Sequence, residues 1–201
     1  VSGRPSLVQL PSGFSFTSNV DETDYTFQTT ENLTGTDDGN GYYEFKTADA
    51  SNIISLTEGT ARQRTFLITQ QEENAVYIIP DPSLDTSTAV IRVYESSTSN
   101  SFSTYTNILN AVTINQLSTL YILKETPNGN FELSFGNGST LGRAPEAGAK
   151  VVVSYLASSG QPANTAKVFE PVNQITVAGV GYPITVATVG NAVGGGERES
   201  L

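Results

Sequence analysis

Histidine and cysteine, which carry most hydrolytic and metal chemistry, are both absent from the 201 residues. Without an imidazole there is no Ser-His-Asp or Cys-His nucleophile, no histidine general base and no histidine metal ligand. Without a thiol there is no disulfide, no thiolate nucleophile and no zinc-thiolate site, which fits a reducing cytoplasm without requiring one. What remains is carboxylate chemistry, in which two acids at a suitable separation suffice to hydrolyse a glycoside. The groupings are Asp21-Glu22-Asp24, Asp37-Asp38 and Glu72-Glu73. Each lies beside turn residues, where an acid stays charged in water at no cost. They read as solvated loops, and no catalytic residue is assigned.

Three further patterns invite a ligand and lose to a structural reading. In Asp37-Asp38-Gly39-Asn40-Gly41, placing Gly41 at the sixth position of a calcium loop puts Thr36 first and Thr47 twelfth, so the first carboxylate and the closing Glu are both missing. A hairpin turn built on Asp-Gly and Asn-Gly accounts for it. Gly136-Asn137-Gly138-Ser139-Thr140-Leu141-Gly142 lacks the glycine spacing of a nucleotide loop, has no following Lys and joins two strands. Asn32-Leu33-Thr34 and Asn137-Gly138-Ser139 fit the glycosylation pattern, which is short enough to recur by chance. No metal or cofactor is expected. The nine Tyr and nine Phe could line a sugar platform, with Tyr42-Tyr43 the most visible pair. Neighbours on a strand point to opposite faces, so only one of those two can be exposed with the other buried.

The elements that would hold these residues are strands. Phe131, Leu133 and Phe135 alternate with Glu132 and Ser134, and Val151, Val153 and Tyr155 repeat the pattern, so two half-buried strands flank a broad loop rich in Gly and Pro. Upstream, the spacing predicts two short strands within 7–16, a strand over 25–29, a turn over 35–41, and strands over 42–45 and 52–56. It further predicts a turn over 56–60 and strands over 66–68, 76–79, 89–94 and 120–124. The Ser/Thr/Asn-rich run 96–107 reads as a surface loop pinned by Phe102 and Tyr105, and 108–117 fits a helical turn or a strand equally. Apolar runs at 167–169, 175–180 and 184–191 follow. Composition agrees with a mainly β chain. Only 15% of residues are charged and 37% hydrophobic, leaving a large share of Ser, Thr, Asn, Gln and Gly for turns. The net charge of −10 repels a nucleic-acid backbone or an anionic membrane surface, so neither is an expected partner.

A strand ending in Phe135-Gly136-Asn137-Gly138, then Leu141-Gly142 with Pro145 and Gly148, then Val151-Val152-Val153-Ser154-Tyr155, then Gly160 and Asn164, resembles the baseplate J-like proteins of contractile phage tails, which include the larger wedge subunits of T-even-type baseplates. A second stretch, Val177 to Val180 followed by Val189, Asn191, Ala192, Gly194-Gly195 and Glu199-Ser200, resembles the closing segment of the same family. The resemblance implies that the tail packs back on the first β module. On that basis 1–72 with 168–201 form one discontinuous β domain, and 73–167 form a second, sandwich-like β domain inserted in it, with little helix. The opening Val1-Ser2-Gly3-Arg4-Pro5 and the closing Glu197-Arg198-Glu199-Ser200-Leu201 read as the ends of a fragment.

The function so implied is structural and non-enzymatic. Such a subunit links baseplate wedges, joins other wedge proteins, self-associates as a dimer when intact, and takes part in the rearrangement that triggers sheath contraction. It would be made in the host bacterial cytoplasm and reside in the virion tail baseplate. The candidate interface loop comprises Gly136, Asn137, Gly138, Leu141, Gly142, Arg143 and Pro145, with Arg143 the one cation among Gly and Pro. The competing expectation is a carbohydrate-binding or adhesin-type β-sandwich of a tail fibre or secreted protein.

Overall fold

A computed structural model describes residues 5–47, 49, 53–72, 74–177 and 179–196. Among them the chain is mainly β, and the only helical pieces are three 3-10 turns. None is long and apolar enough to cross a membrane. The chain forms two small β units, the second inserted in the first: one runs up to Thr60 and resumes at Ser158, the other is Ala61–Ala157. Residues 61–72 therefore belong to the inserted unit and 158–167 to the first, where the resemblance implied boundaries at 72/73 and 167/168.

The first unit contains β1 (Leu7–Leu10), β2 (Ser15–Val20), β3 (Thr23–Thr29), β4 (Leu33–Asp37), β5 (Tyr43–Lys46) and β6 (Leu56–Glu58). β1, β4 and β5 form one sheet and β2, β3 and β6 another. Asp21 and Glu22 take φ of 49° and 65° in the two-residue turn that joins β2 to β3, a conformation suited to the twist of a hairpin. Phe16 and Phe27 face the same core and are buried.

The inserted unit is a seven-stranded, nearly closed sheet made of β7 (Thr60–Leu67), β8 (Val76–Ile79), β9 (Val90–Tyr94), β10 (Phe102–Asn107), β11 (Leu120–Glu125), β12 (Phe131–Phe135) and β13 (Lys150–Ala157). Their order is β7-β13-β9-β10-β11-β12-β8. β10 and β11 run parallel, while the pairs β13–β9, β9–β10, β11–β12 and β12–β8 are antiparallel. Period-two alternation sends Ile79, Ile91, Leu133, Val151 and Val153 inward, all with no exposed surface. Phe66, Tyr77, Tyr105 and Phe135 close the space by edge and tilted ring contacts at 5.3–5.9 Å.

The chain returns to the first unit through β14 (Glu170–Pro171), β15 (Ile175–Val177) and β16 (Val180–Tyr182). β14 pairs with β2 at Glu170–Thr17, and Phe169 meets Phe27 edge-on at 5.0 Å. The returning segment thus completes the first core.

Several local expectations are corrected. Phe102–Asn107 is an interior strand, not a loop, because Tyr105 supplies the one inward anchor while both strand edges are hydrogen-bonded by neighbours. Gly35 lies within β4, where a Cβ would come 2.7 Å from the Phe45 ring. Leu56–Glu58 is a strand paired to β3, not a turn, and Ile53 to Ser55 before it are irregular. The 108–117 run opens with a 3-10 turn at Ile108–Asn110, and the apolar runs 167–169 and 184–191, to which no element is assigned from sequence, are irregular. Asn52, Glu73, Ala178, the opening 1–4 and the closing 197–201 lie outside the described residues.

Candidate functional site

The loop from Gly136 to Gly148 is built chiefly from its own backbone. Asn137 Oδ1 accepts from the backbone N–H of Ser139, Thr140 and Leu141 at 3.0, 2.9 and 3.0 Å, and its Nδ2 donates to Thr140 Oγ1 at 3.1 Å. One amide side chain therefore satisfies three donors that a tight turn would otherwise strand. Gly138 N–H bonds the Gly142 carbonyl at 2.8 Å and closes the turn. A Cβ at Gly136 would lie 2.4 Å from the Gly142 carbonyl atoms, so only glycine permits the two chain segments to meet. Gly142, at φ 97°, has no such room either: a Cβ would stand 2.5 Å from the Ser118 carbonyl.

Beyond the turn the loop is stitched to the sheet. Arg143 N–H donates to Ser118 O at 2.8 Å and Gly148 N–H to Ile68 O at 2.7 Å. Pro145 is buried, and it lines with Tyr77 and Phe135 a cavity of about 10 Å³, room for about one water and no ligand. Leu141, Arg143 and Glu146 face outward. Arg143 is not isolated, since its guanidinium approaches Glu146 at 4.0 Å, an exposed pair of small worth. The two charges also reach Tyr105: burial raises its phenol above the ordinary value, Arg143 opposes that and Glu146 adds to it. An open groove of about 480 Å³ runs beside the loop, lined by Gln71, Gln116, Leu117, Gly138, Arg143 and Glu146. Of the seven residues singled out by sequence, Gly136, Asn137, Gly142 and Pro145 hold the loop, and Gly138, Leu141 and Arg143 are displayed by it.

The acids proposed as solvated are turn-builders. Asp37 Oδ1 accepts from Gly39 N–H at 3.0 Å, and Asp38 Oδ1 from Asn40 and Tyr42 N–H at 2.8 and 3.0 Å. Asp24 takes a hydrogen bond from Asn19 Nδ2, and Glu72 one from Gln70. Among the described residues no three carboxylates converge as a metal site. Tyr42 is 75% exposed, while Tyr43 turns in, donating to the Pro5 carbonyl at 2.6 Å.

Among the described residues a tightly coupled charged group lies at Asp81, which the sequence offered only as part of a connection. Asp81 Oδ2 accepts from Tyr155 Oη and Arg62 Nη1, both at 2.8 Å, and Oδ1 accepts from Ser83 N–H at 3.1 Å. The carboxylate is 5% exposed. Burial alone would raise its pKa, but the bonds from Tyr155, Arg62 and Ser83 and the charge of Arg62 outweigh it, so the group sits below its ordinary value. Tyr155 is pushed up to about 12, first by burial and then by its bond to the carboxylate. The carboxylate accepts hydrogen bonds from β13, β7 and its own turn, and so fastens the Pro80-Asp81 turn to both strands. The Asp81-Pro82 turn signal was visible in the sequence, but its partners lie 19 and 74 residues away.

The first unit carries two comparable fastenings. Glu58 accepts from Ser158 Oγ at 2.6 Å and from Ser159 N–H at 3.0 and 3.2 Å. Asn164 Nδ2 donates to Gly195 O at 2.8 Å while Gly195 N–H donates to Asn164 Oδ1 at 3.0 Å. A Cβ on Gly195 would fall 2.3 Å from the Gly160 carbonyl.

Neither the protein-family models nor the curated proteins contain a match to this chain.

Proposed function

We propose that the chain is part of a baseplate wedge subunit of a contractile phage tail, a structural protein that links wedge proteins and takes part in the rearrangement that triggers sheath contraction. One observation carries this reading. The two stretches that resemble the family, 160–164 and 189–196, are far apart in sequence yet meet through Asn164 and Gly195, at a point where neither Gly160 nor Gly195 can bear a side chain. Residues shared with a family at such a point have a physical reason to be shared, because each is required by the other. Two further motif glycines, Gly136 and Gly142, stand at equally close backbone contacts, whereas Gly138, Gly148 and Gly194 take positive φ in open space.

The work this implies is protein association. Small β units leave flat faces and strand edges that neighbours in an assembly cover. The partners are other wedge proteins and, in the intact protein, a second copy; the place is the virion tail baseplate after synthesis in the host cytoplasm. The displayed residues Leu141 and Arg143 are the first to examine as contacts.

Light scattering and small-angle scattering of the chain, alone and mixed with candidate wedge proteins from one virion, test the proposal. Joining a wedge complex is the expected result, with Arg143→Glu weakening co-assembly about tenfold, or about 1.4 kcal/mol. A monomer indifferent to every wedge protein sinks the assignment, and unchanged co-assembly of Arg143→Glu removes the loop from the interface.

A further inference from the structure

On the outer face of the inserted unit, strand register places Lys150 beside Tyr94 and Tyr94 beside Phe102. Arg92, two residues back along β9, shares that face, while Val93 between them and Ile91 before them are buried in the core. Lys150 Nζ sits 4.4 Å from the centre of the Tyr94 ring, and Arg92 Cζ 5.3 Å from the centre of the Phe102 ring. The two rings meet at 5.2 Å and 47°. Phe102, the first residue of β10, pairs only with Tyr94 at the end of β9 and is 47% exposed.

Among the described residues neither cation has a carboxylate partner, whereas Lys46, Arg62 and Arg143 each do. Arg92 Nε is buried without an acceptor, and Lys150 donates only to the Ser97 carbonyl, at 3.2 Å. Glu95, the acid next along the chain, takes a hydrogen bond from Ser101 Oγ at 3.3 Å. On a chain of net charge −10 this row sets two cations side by side with no ion-pair partner among the described residues.

We propose that the Lys150-Tyr94-Phe102-Arg92 row is a docking surface for a short carboxylate-rich segment of a partner protein. Cations laid against rings are held in place before any ligand arrives, so less side-chain freedom is lost on binding. Lys150 offers a point charge and Arg92 a planar fork suited to a carboxylate. The same geometry argues against a neutral sugar, because stacking needs an open ring face and each ring here already has a cation over it. It argues against nucleic acid as well, since a long phosphate backbone meets the repulsion of the whole chain whereas two or three acids meet only this row. The surface would serve a wedge subunit and any other scaffold alike, so its test is separate from that of the baseplate assignment.

The probe is a fluorescein-labelled Gly-Glu-Glu-Glu-Glu-Gly peptide, titrated by anisotropy into the whole chain at about 10 mM and about 150 mM salt, where the screening length falls from about 30 to about 8 Å. Saturable binding that weakens with salt is expected. It should fall about tenfold in Lys150→Gln and in Arg92→Gln, each with an unfolding midpoint close to that of the unaltered chain, but stay unchanged in Arg64→Gln, an exposed arginine on β7 of the same unit. Absence of saturable binding overturns the proposal, and so does an equal loss with Arg64→Gln, which would signal unspecific charge attraction. Binding of a neutral oligosaccharide that disappears in Phe102→Ala yet survives in Lys150→Gln would replace it with a glycan site.

Discussion

The two units are held together in different ways. In the inserted unit, Ile79, Ile91, Leu133, Val151 and Val153 are wholly enclosed and four aromatic rings pack against one another in a connected cluster, so its integrity rests on apolar volume. In the first unit the core around Phe16 and Phe27 is closed by the small residues Ala163 and Ala166, and beside Phe169 and the β14 pairing the returning segment is held by polar clasps and a bare glycine contact. A core of the first kind fails when an atom is removed. A clasp of the second kind fails when one is added.

The contrast can be broken most forcefully at Leu133. Leu133→Ala opens a void in the inserted sheet and should cost about 2–5 kcal/mol, read by denaturant unfolding followed through the Tyr77 and Tyr105 environment. A loss below about 1 kcal/mol would mean that the sheet collapses around the gap and does not depend on volume. Gly195→Ala is the reciprocal experiment. A Cβ there meets backbone, not a yielding side chain, and the strain should cost about 1–3 kcal/mol. Hydrogen exchange would place that cost: the Thr165 and Ala192 amides, which bond to Ala192 and Ala166 carbonyls, should exchange faster while those of Val151 and Val153 keep their protection.

A subtler difference concerns pH. Asp81 has its folded pKa depressed, so its contribution is present above the unfolded value of about 3.9 and is lost as pH falls through the folded value. Tyr155 has its folded pKa raised to about 12, so its contribution is present below the unfolded value of about 10 and is lost as pH rises through about 12. The inserted unit should therefore lose stability at both ends of the scale. Asp81→Asn should flatten the acid limb of a stability-against-pH curve; an unaltered acid limb would show that Asp81 is not what shapes it.

Much of the mainly β architecture was legible because period-two alternation reports burial on one face in β2, β9 and β12, and because the apolar runs of β8, β11 and β13 mark strands of their own. Two strands that escaped, β10 and β6, carry no apolar alternation in their residues. β10 presents Phe102, Thr104 and Thr106 outward and has Tyr105 alone as an inward anchor, so its polarity matched a loop although backbone pairing on both sides makes it a strand. β6 is three residues long and runs into Gly59, whose turn signal masked it. Conversely 184–191 alternates apolar residues with no strand to pair them, and a pattern without a partner remains irregular. At the candidate loop, glycine and proline types announced an ordered turn, and Asn137, Gly136 and Gly142 explain it. The Asp81 network and the Lys150-Tyr94-Phe102-Arg92 row were hidden because their members come together only through sheet register, which no local window contains.

One property of the inserted unit bears on how such a chain could come to exist. Its first strand and its last, β7 and β13, are neighbours, and Ile68 at the end of β7 bonds to Gly148 and Ala149 at the start of β13. The strands therefore run in opposite directions, and the polypeptide enters and leaves the unit at adjacent strand ends. A segment so closed on itself makes little demand on the chain that receives it, because the loop it opens in the host has its two ends already together. Genes can exchange such a segment as a cassette, and a bench experiment can do the same, replacing 61–157 with a short turn or setting those residues into another loop of equal span.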